Sequence, residues 1–208
     1  MTENTRGALF DAMERREVYA TTGPRIRLRF FGGWDFAPGD AMRRGLAQIG
    51  YGRGVPMGAD LQPAPEGATA PTFLAYALRD ATGANLDRLQ IVKGWLDASG
   101  KPQEKVYDVA WSDNRQPGAD GKLPPVGDTV DLAIPSWTST IGASERGVAW
   151  QDPDFDPALR AYVRVIEIPT PRWTPYDVVK FNLTLPPEVP LKSQQGAYSS
   201  PIWYTPAG

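Results

Sequence analysis

Glycine and proline each occur 21 times in 208 residues, so together they interrupt the chain at about every fifth position. Their usual combined share is ~12%. Neither residue supports a helix or strand interior, since proline lacks an N–H and fixes φ, and glycine loses the most backbone freedom on folding. The chain must therefore be built from short elements joined by many turns and long ordered loops. Disorder is not the expected outcome, because seven Trp, eight Tyr and seven Phe supply material for a core.

Between the interruptions the dominant period is two. In Arg25-Ile26-Arg27-Leu28-Arg29-Phe30-Phe31, three apolar residues alternate with three arginines, the pattern of a strand with one wet face. Residues 71–79 and 88–96 read as further strands. A turn at Asp97-Ala98-Ser99-Gly100-Lys101 then returns the chain through 104–111 as a hairpin partner. Residues 129–133 and 161–168 read as two more strands, and 200–204 as a short last one that Pro201 places at an edge or a strand start. The stretches 32–70, 112–128 and 169–199 read as long loops, the last with one short helix around 175–181. Six or seven strands at this spacing predict an all-β fold, an antiparallel β-sandwich with long Gly/Pro-rich loops.

One N-terminal α-helix precedes it. Over residues 3–18, Leu9, Phe10, Met13 and Val18 form an apolar stripe, Thr5 or Asn4 can cap the start, and Gly23-Pro24 stops the run. An isolated helix needs a partner surface. That surface is either the sandwich itself or a preceding domain to which the helix belongs.

Composition excludes several classes of function. There is no cysteine, so disulfides and thiolate metal sites are out. There is no histidine, the commonest metal ligand and general base, so a serine here has no imidazole to activate it. A Ser–Lys arrangement remains open, as at Lys192-Ser193, but no spacing singles one out. The net charge of −2, from 22 basic and 24 acidic residues, gives no electrostatic reason to expect nucleic acid or an anionic membrane. No run of about 18 apolar residues is present to span a bilayer, and the polar first residues do not resemble a signal peptide.

The most pointed local feature is Tyr19-Ala20-Thr21-Thr22-Gly23-Pro24-Arg25. Two hydroxyls and a guanidinium beside a Gly-Pro turn suit an anionic ester group, and they equally suit a plain helix-to-strand turn. Pro-flanked Arg172-Trp173 suits display to a cleft or packing over a strand end. Thr21, Thr22, Arg25, Arg172 and Trp173 are the candidate substrate-binding residues. No catalytic residue and no metal ligand is assigned. Asp113-Asn114 with Asp120-Gly121 lacks the spacing of a calcium loop, and Asp152, Asp154 and Asp156 sit in an Asp-Pro-rich turn.

Several strings together resemble one bacterial family: Arg15 to Ile26, Phe30-Phe31-Gly32-Gly33-Trp34-Asp35-Phe36, Gly54-Val55-Pro56-Met57-Gly58, Leu89 to Trp95, Lys105 to Trp111, Pro169-Thr170-Pro171-Arg172-Trp173, and Ser200 to Pro206. Over essentially its whole length the chain is similar to the C-terminal region of the domain of unknown function (DUF) 3604 family. Full-length members look like relatives of the polymerase-and-histidinol-phosphatase (PHP) type metal-dependent hydrolases. The resemblance implies that residues 1–24 are the last helix and junction loop of an upstream metal-binding barrel, and that residues 25–208 are an appended β-sandwich domain. It implies an accessory role in a phosphoester- or sulfoester-type hydrolase, with the divalent metal in the barrel of the parent and no catalysis by this segment alone. Its partners would be that barrel and a second copy meeting an exposed apolar face, in a periplasmic or cytoplasmic bacterial setting. The competing expectation is a free-standing binding module for carbohydrate or protein, which would show a covered helix and an open Trp-lined groove.

Overall fold

The computed structural model describes residues 3–97, 99–155 and 160–204. Along the chain, α1 (Arg6–Glu14) leads to β1 (Tyr19–Thr21) and β2 (Arg27–Gly33). A 3-10 turn at Asp40–Met42 and α2 (Leu46–Arg53) come before β3 (Gly54–Pro56) and β4 (Thr72–Leu78). Then follow β5 (Leu86–Leu96), β6 (Pro102–Trp111), β7 (Glu145–Gln151), β8 (Arg160–Glu167), β9 (Thr170–Pro171), α3 (Trp173–Phe181), β10 (Lys192–Ser193), β11 (Gly196–Ser199) and β12 (Ile202–Trp203).

These strands form an all-β antiparallel sandwich. One sheet runs β1-β11-β8-β5-β6, with β12 also pairing β8, and the other runs β3-β2-β4-β7. Every strand pair is antiparallel. The inward residues obey the period of two. Ile26, Leu28 and Phe30 meet Phe73, Ala75 and Ala77 on one sheet, and Leu89, Ile91, Val163 and Val165 on the other, in a single buried cluster. The other face of the four-stranded sheet is also buried. There Phe31 and Leu74 pack with Phe36, Ala41 and Leu46, so the 3-10 turn and α2 form a cover over it.

That cover corrects the expectation of a long loop over 32–70. The sequence Leu46-Ala47-Gln48-Ile49-Gly50-Tyr51-Gly52-Arg53 carries two glycines and reads poorly as a helix, yet packing decides it. A Cβ at Gly50 would lie 2.5 Å from the Phe31 ring, so glycine is what lets the helix sit on the sheet. Asp40, 1% exposed, ties the segment together by accepting from Ala37 N at 2.8 Å and Arg53 Nη1 at 2.8 Å.

Three other expectations need revision. The helix is shorter than 3–18, since it ends at Glu14 and Arg16 turns the chain with φ of +60°. Thr5 is the cap, accepting from Ala8 N at 3.2 Å. Residues 129–133 are not a strand, because Asp128 accepts from Val130 N and Asp131 from Ala133 N, so side chains take up the main-chain donors that a ladder would need. Only an isolated bridge joins Asp131 to Ser136. Conversely, β7 pairs along all of β4 from Thr72↔Gln151 to Leu78↔Glu145, although its sequence lacks clean alternation. The 97–101 turn forms as expected: Asp97 accepts from Ser99 Oγ and N and from Lys101 N, which hold its carboxyl down to about 2. The helix expected at 175–181 forms as α3.

Candidate functional site

The junction between α1 and the sandwich is bolted to the first sheet. β1 pairs with β11 in the register Tyr19↔Ser199 to Thr21↔Ala197. Thr22 Oγ1 donates to Gln195 Oε1 at 2.5 Å and accepts from Gly196 N at 2.9 Å, so this hydroxyl is spent on the loop itself. Thr21 is half-buried in β1. Arg25 splits its roles: its main-chain N donates to Asp80 Oδ2 at 2.7 Å, while its guanidinium is 88% exposed and 3.8 Å from the same carboxylate. The Arg25 N–H, followed by Thr82 N–H, holds the Asp80 carboxyl below the usual range. The expected boundary at residue 24 falls between β1 and β2, which belong to different sheets.

Arg172 and Trp173 lie at the start of α3. Arg172 is half-buried and donates its main-chain N to Leu191 O at 2.9 Å, and Trp173 is 66% exposed. The two groups of candidates share one hydrogen-bonded path. Thr22 reaches Gln195, Gln195 Nε2 donates to Ser193 Oγ at 3.1 Å, and Thr170 Oγ1 donates to Ser193 O at 3.3 Å, just before Arg172. No direct hydrogen bond, ion pair or ring contact joins Arg172 or Trp173 to Thr21, Thr22 or Arg25 among the described residues.

Beneath the junction lies a residue that the sequence reading passed over. Glu167 is 1% exposed and its Oε1 has no hydrogen-bond partner. A Cβ on Gly83 would stand 3.2 Å from that oxygen and 3.4 Å from Pro24, so Glu167 is roofed by the Asp80–Gly83 turn and the Gly-Pro loop. Burial first, then the nearby Asp80 charge, pushes its carboxyl up to about 7 against the pull of Arg79. The available signal was parity: Ala161, Val163 and Val165 point inward on β8, and 167 continues that stripe.

The same logic finds Lys93, which follows the inward Leu89 and Ile91 on β5. Its Nζ sits 2.9 and 3.1 Å from the two carboxylate oxygens of Asp152, with side chains 3% and 0% exposed, and it also donates to Asp154 O. This ion pair ties β5 in one sheet to the residue that follows β7 in the other. Asp154 takes Lys105 and Tyr107, which hold its carboxyl low. The turn reading of this acidic run thus holds for Asp152 and Asp154, which brace the sheets, and Asp156 and Pro157 lie outside the described residues. On the outer face of the first sheet, buried Asp87 accepts from Arg115 Nη2 at 2.5 Å, Arg88 Nε at 3.1 Å and Gln194 Nε2 at 3.1 Å. Arg115 in turn donates to Ser112 O and Pro124 O, so it pins the 112–124 loop rather than offering a site.

One concave feature of the surface is a cleft of about 500 Å3 between α1 and the edge of β2. Leu9, Met13, Val18, Tyr19 and Met57 give it apolar walls, and Arg27, Arg29, Glu17 and Tyr51 reach its rim. Tyr51 donates to Glu17, and burial followed by that bond pushes its phenol up to about 12. α1 itself buries only Ala12, leaving Leu9 44%, Phe10 60% and Met13 60% exposed. A second apolar patch lies on α3, where Trp173, Tyr176, Val179 and Phe181 are all exposed.

Among the described residues, no three Asp or Glu side chains gather where they could hold a metal ion. The chain has no His or Cys, so it cannot supply the imidazole or thiolate ligands of a zinc-type centre.

The profile of a family described as protein of unknown function (DUF3604) matches residues 1–206. No curated protein and no solved structure gives a significant match.

Proposed function

Because the chain belongs to the DUF3604 family, we propose that it serves as the β-sandwich accessory module of a larger, PHP-like metal-dependent hydrolase of phospho- or sulfoesters. The observation that carries this reading is α1. A nine-residue helix is not stable alone in water, and here Leu9, Phe10 and Met13 of its apolar stripe stay exposed while only Ala12 is buried. A catalytic barrel seated on that stripe would cover it. In this reading residues 1–24 join the barrel to the sandwich, and residues 25–208 form the appended domain. The divalent metal that activates water in such hydrolases would be held by the barrel. No step of that chemistry runs through this chain.

This chain's contribution would be positional. The Thr21–Arg25 loop is fixed by Gln195, Gly196 and Asp80, and it holds out the exposed Arg25 guanidinium toward an anionic ester group. Exposed Trp173 and half-buried Arg172, at the start of α3, would be further contacts to the barrel's substrate cleft. The test uses the chain as it stands. Incubated with one equivalent of Mn2+ or Zn2+, it should turn over neither p-nitrophenyl phosphate nor p-nitrophenyl sulfate. Metal-dependent turnover by this chain at a defined stoichiometry would sink the accessory-domain account.

A further inference from the structure

The cleft under α1 has the build of a binding site in its own right. Its volume of about 500 Å3 falls within the range of small-molecule pockets, ~300–1,000 Å3. The walls are apolar: Leu9 and Met13 from α1, Val18 and Tyr19 leading into β1, and Met57 after β3. Buried Leu28 and Phe30 form its floor, so it reaches to the margin of the core. It stays open because β3 pairs β2 only from Phe31 to Gly33, which leaves the edge from Arg27 to Arg29 facing the cleft.

The polar groups at the rim are one-sided. Arg27 and Arg29 occupy alternate positions of β2, so their side chains leave the same face roughly 7 Å apart. Neither has an ion-pair or hydrogen-bond partner among the described residues, whereas the arginines at 15, 16, 25, 43, 53, 88 and 115 each have a carboxylate. Glu17, the rim's carboxylate, is already engaged by Arg15 and the Tyr51 hydroxyl. Arg29 also borders a neighbouring depression lined by Arg43, Arg44 and Glu145, where Arg43 pairs with Asp40 and Glu145 accepts from Tyr76. A chain with a net charge of −2 thus concentrates positive charge at the mouth of its apolar cleft.

From this charge complementarity we infer that the cleft binds a small amphipathic organic anion, with its apolar body against Leu9, Met13, Tyr19 and Met57 and its carboxylate, sulfate or phosphate between Arg27 and Arg29. Guanidinium groups match such oxyanions with paired N–H donors, and a water-shielded apolar body adds affinity in proportion to the area it buries. This site does not depend on an upstream barrel or on any metal.

The experiment titrates the chain by calorimetry with four rigid probes: naphthalene-2-sulfonate, 2-naphthoate, 2-naphthalenemethanol and 2-naphthylmethylammonium. The two anions should bind saturably at one site, at least tenfold more tightly than the alcohol or the cation, and should weaken as salt rises. R27Q/R29Q changes two exposed side chains and leaves the fold intact. It should reduce anion affinity about tenfold and leave the alcohol unaffected, and M57W should block all binding by filling the cleft from its wall. Equal affinity for anion and alcohol would overturn the assignment, as would anion binding that survives R27Q/R29Q. Failure of every probe to saturate would overturn it too.

Discussion

Glu167 and the Lys93–Asp152 pair, all buried, dominate the residue scale, and they lead to opposite expectations. Glu167 is an acid whose native pKa, about 7, lies above its ordinary value of 4.5. The folded state then holds its proton more tightly than the unfolded state does. Its stabilising contribution is therefore complete below about pH 4.5, falls as pH rises, and is gone above about pH 7. E167Q replaces the carboxyl with a neutral near-isostere, so its stability relative to wild type should rise across that window by on the order of 3 kcal/mol. Urea melts of both proteins at pH 5 and pH 8 measure this, and a difference that does not change with pH would refute it. Lys93 and Asp152 behave differently, since each neutralises the other at 2.9 Å in a site closed to water. Removing one partner leaves a buried charge alone, and K93M or D152N should each cost about 3–5 kcal/mol. The double variant K93M/D152N should be less damaged than the sum of the two, which a double-mutant cycle reads directly. Both residues were legible in principle, since each continues an inward period-two stripe. What the sequence did not contain was the identity of the partner, 59 positions away for Lys93, or the lack of one for Glu167.

At the scale of elements, α2 shows how far packing overrides propensity. Its two glycines are equivalent on any helix scale, and Ala should improve either site by about 1 kcal/mol. Their surroundings are not equivalent. A Cβ at Gly52 meets nothing within 4 Å, whereas at Gly50 it collides with the Phe31 ring at 2.5 Å. G52A should raise the midpoint of thermal unfolding. G50A should lower it, because overpacking of this kind costs about 1–3 kcal/mol and outweighs the propensity gain. If both substitutions shift stability in the same direction, the account of α2 as a close cover on the sheet fails. The elements that the sequence did reveal, β2, β4, β5, β6 and β8, are those whose alternation is strong and whose neighbours are equally regular. The strand expected at 129–133 had the right residues, but Asp128 and Asp131 took up its main-chain donors and turned the backbone instead.

At the scale of the whole molecule, the apolar material left outside the core is the main lever. Leu9, Phe10 and Met13 on α1 are exposed together, and surfaces of this kind mark contact sites. F10D changes only an outward side chain, so the folding midpoint should move little. Sedimentation at increasing concentration should show self-association of the wild-type chain through this face and its loss in the variant. A wild-type protein that stays monomeric at millimolar concentration would count against the stripe as a contact surface. The second exposed patch, on α3, offers an internal control, since altering Phe181 there should leave any α1-driven association unchanged.

The chain alone determined its class. Frequent Gly and Pro limit element length, the period of two sets one face of each strand inward, and the absence of His and Cys removes the usual means of metal hydrolysis. Tertiary structure decided what lies opposite each strand. It placed β1 beside β11, seated α2 on Phe31, closed Lys93 onto Asp152 and left Glu167 unpaired under Pro24 and Gly83. The physical reason is that periodicity is a local property of the backbone, whereas a partner is a property of two segments far apart in the chain. The helix at the N-terminus lies between these cases: its stripe is written in the sequence, and only the fold shows that the sandwich leaves most of it uncovered.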